Sequence, residues 1–128
     1  MREILFKAKG QTDDKWHIGF LANLYGGICI IRENEHEWIC KPETICQCTG
    51  LKDKNGKLIW ENDVVGFWDT YSTENGHAEM DCIGKVVWDD ETISFQVTNR
   101  LSAESYEVLD ECSVIGNIFD NPELLEVG

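Results

Sequence analysis

Proline is almost missing from this 128-residue chain, which has only Pro42 and Pro122, and no stretch is rich in Pro and Ser. That leaves no candidate for a long flexible linker or a low-complexity tail. Long apolar runs are missing too. Stretches such as Ile28-Cys29-Ile30-Ile31 fall far short of the ~20 residues a bilayer span needs. Met1-Arg2-Glu3 does not open a secretory signal, so no membrane partner and a cytoplasmic location are expected. The P-loop, GxGxxG, HExxH and GxSxG patterns are all absent, which removes the commonest phosphate, dinucleotide, zinc-protease and hydrolase readings. The three histidines, His17, His36 and His77, sit in no nucleophile motif, so no catalytic residue is expected. The chain is read as non-enzymatic, with no cofactor.

Positive charge is scarce as well, with 11 Lys+Arg against 24 Asp+Glu and a net charge of −13. It is also uneven: residues 1–57 carry nine bases and eight acids, residues 58–128 only Lys85 and Arg100 against sixteen acids, giving +1 and −14. A surface with that excess of carboxylates repels phosphates. Any nucleic-acid contact therefore belongs to the first half, and an acidic face on the second half points to a basic protein partner.

What is present is a soluble globular composition, 42% hydrophobic with five Trp, five Phe and three Tyr. The chain lacks a sustained 3.6-residue apolar period, and short β-type segments recur between Gly and Asn punctuation. Strands are expected at Glu3–Phe6, Trp16–Tyr25, Ile28–Ile31, Glu37–Cys40 and Thr44–Cys48, with Gly26-Gly27 as a hairpin turn. Asn55-Gly56 supplies the residues that tolerate the two positive φ angles of a type I′ turn. Asp63–Trp68 and Asp81–Trp88 read as strands joined by a loose polar loop over Asp69–Met80, and Ile93–Val97 completes a three-stranded meander. Residues 98 to 112 are polar, anchored by Leu101, Tyr106, Val108 and Leu109, and Ser113–Ile118 closes as a strand or short turn. Asn121 as a cap, Pro122 at the first position and Glu123 behind it predict a short helical turn over Asn121–Glu126. The expected fold is thus all-β: an N-terminal β unit over 1–50 packed on a barrel-like unit over 51–128, with a short C-terminal helical turn.

Six cysteines (Cys29, Cys40, Cys46, Cys48, Cys82, Cys112) in an unsecreted chain read as reduced core residues. His36, Cys40, Cys46 and Cys48 have zinc-type donors but lack the two paired knuckles of a structural site, so no metal is expected.

The segment Cys48-Thr49-Gly50-Leu51-Lys52-Asp53-Lys54-Asn55-Gly56-Lys57-Leu58-Ile59-Trp60-Glu61-Asn62-Asp63-Val64-Val65 resembles the YopX family, small proteins encoded largely by bacteriophages and prophages. Two more anchors agree: the start Arg2-Glu3-Ile4-Leu5-Phe6-Lys7-Ala8-Lys9, and the end Val114-Ile115-Gly116-Asn117-Ile118-Phe119-Asp120-Asn121-Pro122-Glu123-Leu124-Leu125. The resemblance implies a mainly β fold with an SH3-like barrel in the C-terminal part and a phage-related cytoplasmic setting. It implies no reaction. The chain departs from the family at Cys46 and Cys48, where a Gly and an aromatic are common, and at Asn62, where a Gly precedes the Asp. Asn is the next residue after Gly to accept positive φ.

Two binding readings follow. In the first, the acidic barrel face meets a basic protein, with Asp69, Asp89, Asp90 and Glu91 as the contact residues. In the second, Lys7, Lys9, Lys15, Lys52, Lys54 and Lys57 contact nucleic acid, with Trp16 set among the first three. The other tryptophans with acidic neighbours, Trp60, Trp68 and Trp88, read as core and barrel-edge residues. Self-assembly into a homo-oligomer through exposed strand edges of the N-terminal unit is compatible with either reading.

Overall fold

The structure, a computed structural model, describes residues 4–74, 76–99, 105–107 and 112–125, with 68–73, 77–81, 99 and 105–107 described through their backbone alone. The side chains of Trp68, Asp69, His77 and Tyr106, and the expected anchors Leu101, Val108 and Leu109, lie outside the described residues. The described residues form antiparallel strands and two 3₁₀ turns, Pro42–Thr44 and Pro122–Leu125. It divides into two compact units, Met1–Gly50 and Leu51–Gly128.

The first unit contains β1 (Phe6–Lys9), β2 (Trp16–Asn23), β3 (Cys29–Glu33), β4 (His36–Cys40) and most of β5 (Cys46–Lys52), in the order β4-β3-β2-β1-β5. The strand expected at Glu3–Phe6 lies three residues later. Alternation decides the position: Phe6 and Ala8 face the core while Lys7 and Lys9 keep their ammonium groups outside, which a pairing over the apolar run Ile4–Phe6 does not achieve. The Gly26-Gly27 turn behaves as its composition requires. Both glycines have positive φ (69° and 75°), the Ile28 N–H donates to the Tyr25 carbonyl at 3.3 Å, and the turn is therefore type I′. The sheet then curls until β4 meets β1 again, with Gly10 bridging Cys40, Gln11 N–H donating to the Ile39 carbonyl and Lys41 N–H donating to the Lys9 carbonyl. Closing β1–β4 in this way converts edge groups into partners. The enclosed core is small and made of small residues: Ala8, Cys29, Ile31 and Cys40, with Phe6, Leu21 and Ile45 packed against them.

The second unit comprises β6 (Leu58–Trp60), β7 (Asp63–Thr73), β8 (Gly76–Asp89), β9 (Ser94–Asn99), β10 (Ser105–Glu107) and β11 (Ser113–Asn117). Strands β7 to β10 form a meander and β11 returns to the far side of β7, giving the order β10-β9-β8-β7-β11. Its core is Ile59, Val65, Val86, Val97 and Cys112, with Phe67, Phe95 and Val114 beside them.

Two local expectations for this half are corrected. The Asp69–Met80 loop is instead a continuation of the β7–β8 ladder, paired without a break from Val64↔Lys85 to Thr73↔Gly76. Thr70, Tyr71, Ser72 and Thr73 favour a pleated backbone despite their polarity, and Gly76 supplies the positive φ (121°) at the tip. The Asn55-Gly56 turn is not type I′. Only Gly56 has positive φ (80°), its N–H donates to the Asp53 carbonyl at 3.0 Å, and Asp53 N–H donates to the Lys57 carbonyl at 2.8 Å. That is a type I turn followed by a bulge glycine in a three-residue loop. The helical turn expected over Asn121–Glu126 is the 3₁₀ turn Pro122–Leu125, and the Asn121 side-chain oxygen also accepts the Asn117 N–H at 3.3 Å, reaching back to β11.

Candidate functional site

Buried carboxylates organise the segment that carries the family resemblance. Asp53 is buried, with Oδ1 accepting the Asn55 and Lys57 N–H groups and Oδ2 accepting the Val114 N–H, each at 2.9 Å. The Val114 bond above all, then those from Lys57 and Asn55, holds its carboxyl below the ordinary value against the opposing effect of burial. Asp63 is also buried and accepts the Trp60 N–H at 2.8 Å, closing the Glu61-Asn62 turn in which Asn62 adopts φ 71°. These two acids serve the fold. The left-handed Asn62 shows why Asn can stand where the family has Gly.

The acidic residues proposed for binding are only partly brought together. Asp89, Asp90 and Glu91 share the tight connection from β8 to β9: Asp89 Oδ1 accepts the Glu91 N–H at 3.0 Å, and Asp90 Oδ1 accepts the Trp88 indole N–H at 2.9 Å. Asp69 is not among them. It stands opposite Met80 in the β7–β8 register, nine residues along β8 from Asp89, which is about 30 Å of strand. The tip has two features that charge counting missed. Trp88, expected as a core or edge residue, is 43% exposed and meets Phe95 edge to face at a centroid distance of 5.1 Å. Ile93, expected to open β9, is 75% exposed and held at φ 52°. A β-branched residue in the left-handed region is strained by roughly 1–2 kcal/mol, and strain of this kind collects at binding sites.

The lysines fall into two groups. Lys52, Lys54 and Lys57 are exposed around the Asp53 turn in the second unit. Lys7 and Lys9 project from the outward face of β1 in the first unit, with their ammonium groups 4.6 and 5.5 Å from the centre of the Trp16 ring. Lys15 precedes β2 and donates its backbone N–H to Asp13 Oδ1 at 3.1 Å.

That contact belongs to a cluster that sequence reasoning passed over. His17 is buried, its Nε2 lies 2.9 Å from Asp13 Oδ2, and its ring stacks on Trp38 at 4.1 Å. The Lys15 N–H first, and then His17, holds the Asp13 carboxyl below its ordinary value. Gly10 leaves room for this pair: a Cβ there would come within 1.9 Å of Asp13 Oδ1, so the carboxylate would have to shift. The nearby Cys40 does not complete a nucleophile: burial, reinforced by Cys29 and Asp13, pushes its thiol up to about 11. Five of the six cysteines are buried and the sixth, Cys48, is half-buried. Among the described residues, no group of three or more His, Cys, Asp or Glu is placed to hold a metal ion. Nor is any described helix long and apolar enough to cross a membrane.

The architecture defines a class: a small, nearly all-β protein of two antiparallel sheets. The YopX protein family model matches residues 6–126, and the chain belongs to that family. No curated protein matches it. Among solved structures it is similar in fold to protein EF1440 from Enterococcus faecalis, with a TM-score of 0.57 and 22% identity over 98% of this chain and 100% of that one.

Proposed function

We propose that this chain is a non-enzymatic phage or prophage accessory protein that acts in the bacterial cytoplasm by binding a basic protein partner through the β8–β9 tip. In this reading the second unit is an SH3-like barrel, supported by the return of β11 to the first strand of the meander. The observation that carries the binding site is Ile93. A strained, β-branched, outward-pointing residue is costly for a soluble protein, and here it stands among Asp89, Asp90, Glu91 and the exposed Trp88. An apolar anchor and an aromatic ring surrounded by carboxylates fit a segment that brings Arg or Lys beside an apolar residue. The guanidinium or ammonium group pairs with the acids and lies against the Trp88 ring. The excess of negative charge in the second half speeds the encounter.

The test is capture from bacterial lysate after nuclease treatment, comparing the wild-type chain with Ile93→Asn and Trp88→Ala. A protein retained stoichiometrically by the wild type and lost by both variants supports the reading. Retention that is the same in all three, or that disappears with nuclease, sinks it.

A further inference from the structure

Strand β2 of the first unit is unusual in being largely apolar on both faces. Along β2, His17, Gly19 and Leu21 turn inward, whereas Trp16, Ile18 and Phe20 turn outward, with Ile18 and Phe20 42% and 49% exposed. The register sets cations around these outward residues. Lys9 stands opposite Trp16 and Lys7 opposite Ile18 on β1, while Arg32 stands opposite Phe20 on β3. Phe20 is therefore flanked by Arg32 at direct cross-strand distance and by Lys7 on the diagonal, about 5 and 7 Å between Cβ atoms. Lys7 and Lys9 are gathered over the Trp16 ring, which orients both ammonium groups along one line of the sheet. The acid that shares this face on the paired strands is Glu37, opposite Arg32 and 2.9 Å from its guanidinium. Both partners of that ion pair are more than half exposed, so it is weak and readily exchanged for a contact with another anion.

We propose that the outward face of β1–β4 binds single-stranded nucleic acid, with phosphates held by Lys7, Lys9 and Arg32 and a base stacked on Phe20. Charge complementarity selects this occupant. A ring set between cations on the outside of a small closed sheet provides the two things a single strand requires, a π-face and neutralised phosphates. A duplex keeps its base faces stacked inside and gains nothing from Phe20. The carboxylates of residues 58–128 oppose approach of any polyanion, so binding is modest and is measured at low salt.

The experiment titrates the full chain into a fluorescently labelled oligothymidylate of about 20 nucleotides at about 50 mM salt, followed by anisotropy. The wild type is expected to bind. Phe20→Leu keeps the apolar bulk but removes the ring and is expected to weaken binding about tenfold, while Phe20→Trp retains it. Lys7→Glu with Lys9→Glu is expected to weaken it by at least about tenfold, and by clearly more than Lys52→Glu with Lys54→Glu, which changes the net charge equally but in the second unit; equal losses overturn the proposal. Circular dichroism of each variant separates loss of contact from loss of fold. Failure of the wild type to bind overturns the proposal, as does a Phe20→Leu variant that binds like the wild type. Light scattering is run on the same samples: self-association that depends on Phe20, without oligonucleotide binding, overturns it in favour of a protein interface.

Discussion

Asp53 shows how much one side chain carries in this protein. It lies in the stretch that reveals the family, and in the structure its carboxylate joins a hairpin turn to β11 through three backbone N–H groups. Hydrogen bonds to a charged acceptor are the stronger kind, so Asp53→Asn, which turns a donor toward one of these N–H groups, should cost about 2–3 kcal/mol in urea unfolding near neutral pH. The pH dependence has a definite sign. The folded state holds this carboxyl below its ordinary value of 3.8, so its contribution is complete above that value and lost as pH falls below it. Wild-type stability should fall further between pH 6 and pH 3 than that of Asp53→Asn; equal losses would assign the acid sensitivity to other carboxylates. Ile93 gives the opposite prediction. Asn tolerates the left-handed region, so Ile93→Asn should raise stability by about 1 kcal/mol while removing the apolar anchor. A variant that melts higher and still retains its partner would show that the strain has no role in binding.

At the scale of elements, composition revealed the kind of structure better than its position. Val, Ile and Trp runs and the Gly26-Gly27 pair were legible as strands and a turn because each carries its own backbone preference. The position of β1 was not, because it depends on which side chains meet β2 and β5 across the sheet. The long β7–β8 ladder was hidden in the same way by polar Thr and Ser, which strand pairing accommodates as well as apolar residues. The positive φ of Asn62 was readable from the residue type, whereas that of Ile93 contradicts its residue type and could not be read at all. Gly19 is the most demanding position in β2. A Cβ there would lie 2.1 Å from the Arg32 carbonyl oxygen, a backbone atom that cannot move without β3. Gly19→Ala should therefore destabilise the first unit by about 3 kcal/mol, visible as loss of amide protection across β2 and β3. Unchanged protection in those strands would show that the sheet can slide to admit a methyl group.

For the whole molecule, charge was the most legible property and the least sufficient. The contrast of +1 against −14 divides the chain by sign, but it could not place Asp69 some 30 Å of strand from Asp89, or set Lys7 and Lys9 over one ring. Those facts belong to register. The charge has a consequence for stability that does not depend on any site. Sixteen acids against two bases in residues 58–128 repel one another in the compact state, while the exposed ion pairs Arg32–Glu37 and Lys41–Asp14 are each worth at most about 1 kcal/mol. Salt weakens both, but the repulsion is summed over sixteen carboxylates facing only two bases in residues 58–128, so screening should favour the folded state. Raising sodium chloride from about 20 mM to about 500 mM shortens the Debye length from roughly 20 Å to roughly 4 Å and should raise the melting temperature by roughly 3–6 °C. Reversing sixteen acids is impractical, but Asp89→Lys with Glu91→Lys is not. If repulsion governs, that variant should start from a higher melting temperature and gain less from salt. A wild-type melting temperature that is flat or falling with salt would mean that the carboxylates are compensated locally, and the long-range attraction invoked for a basic partner would lose its physical basis.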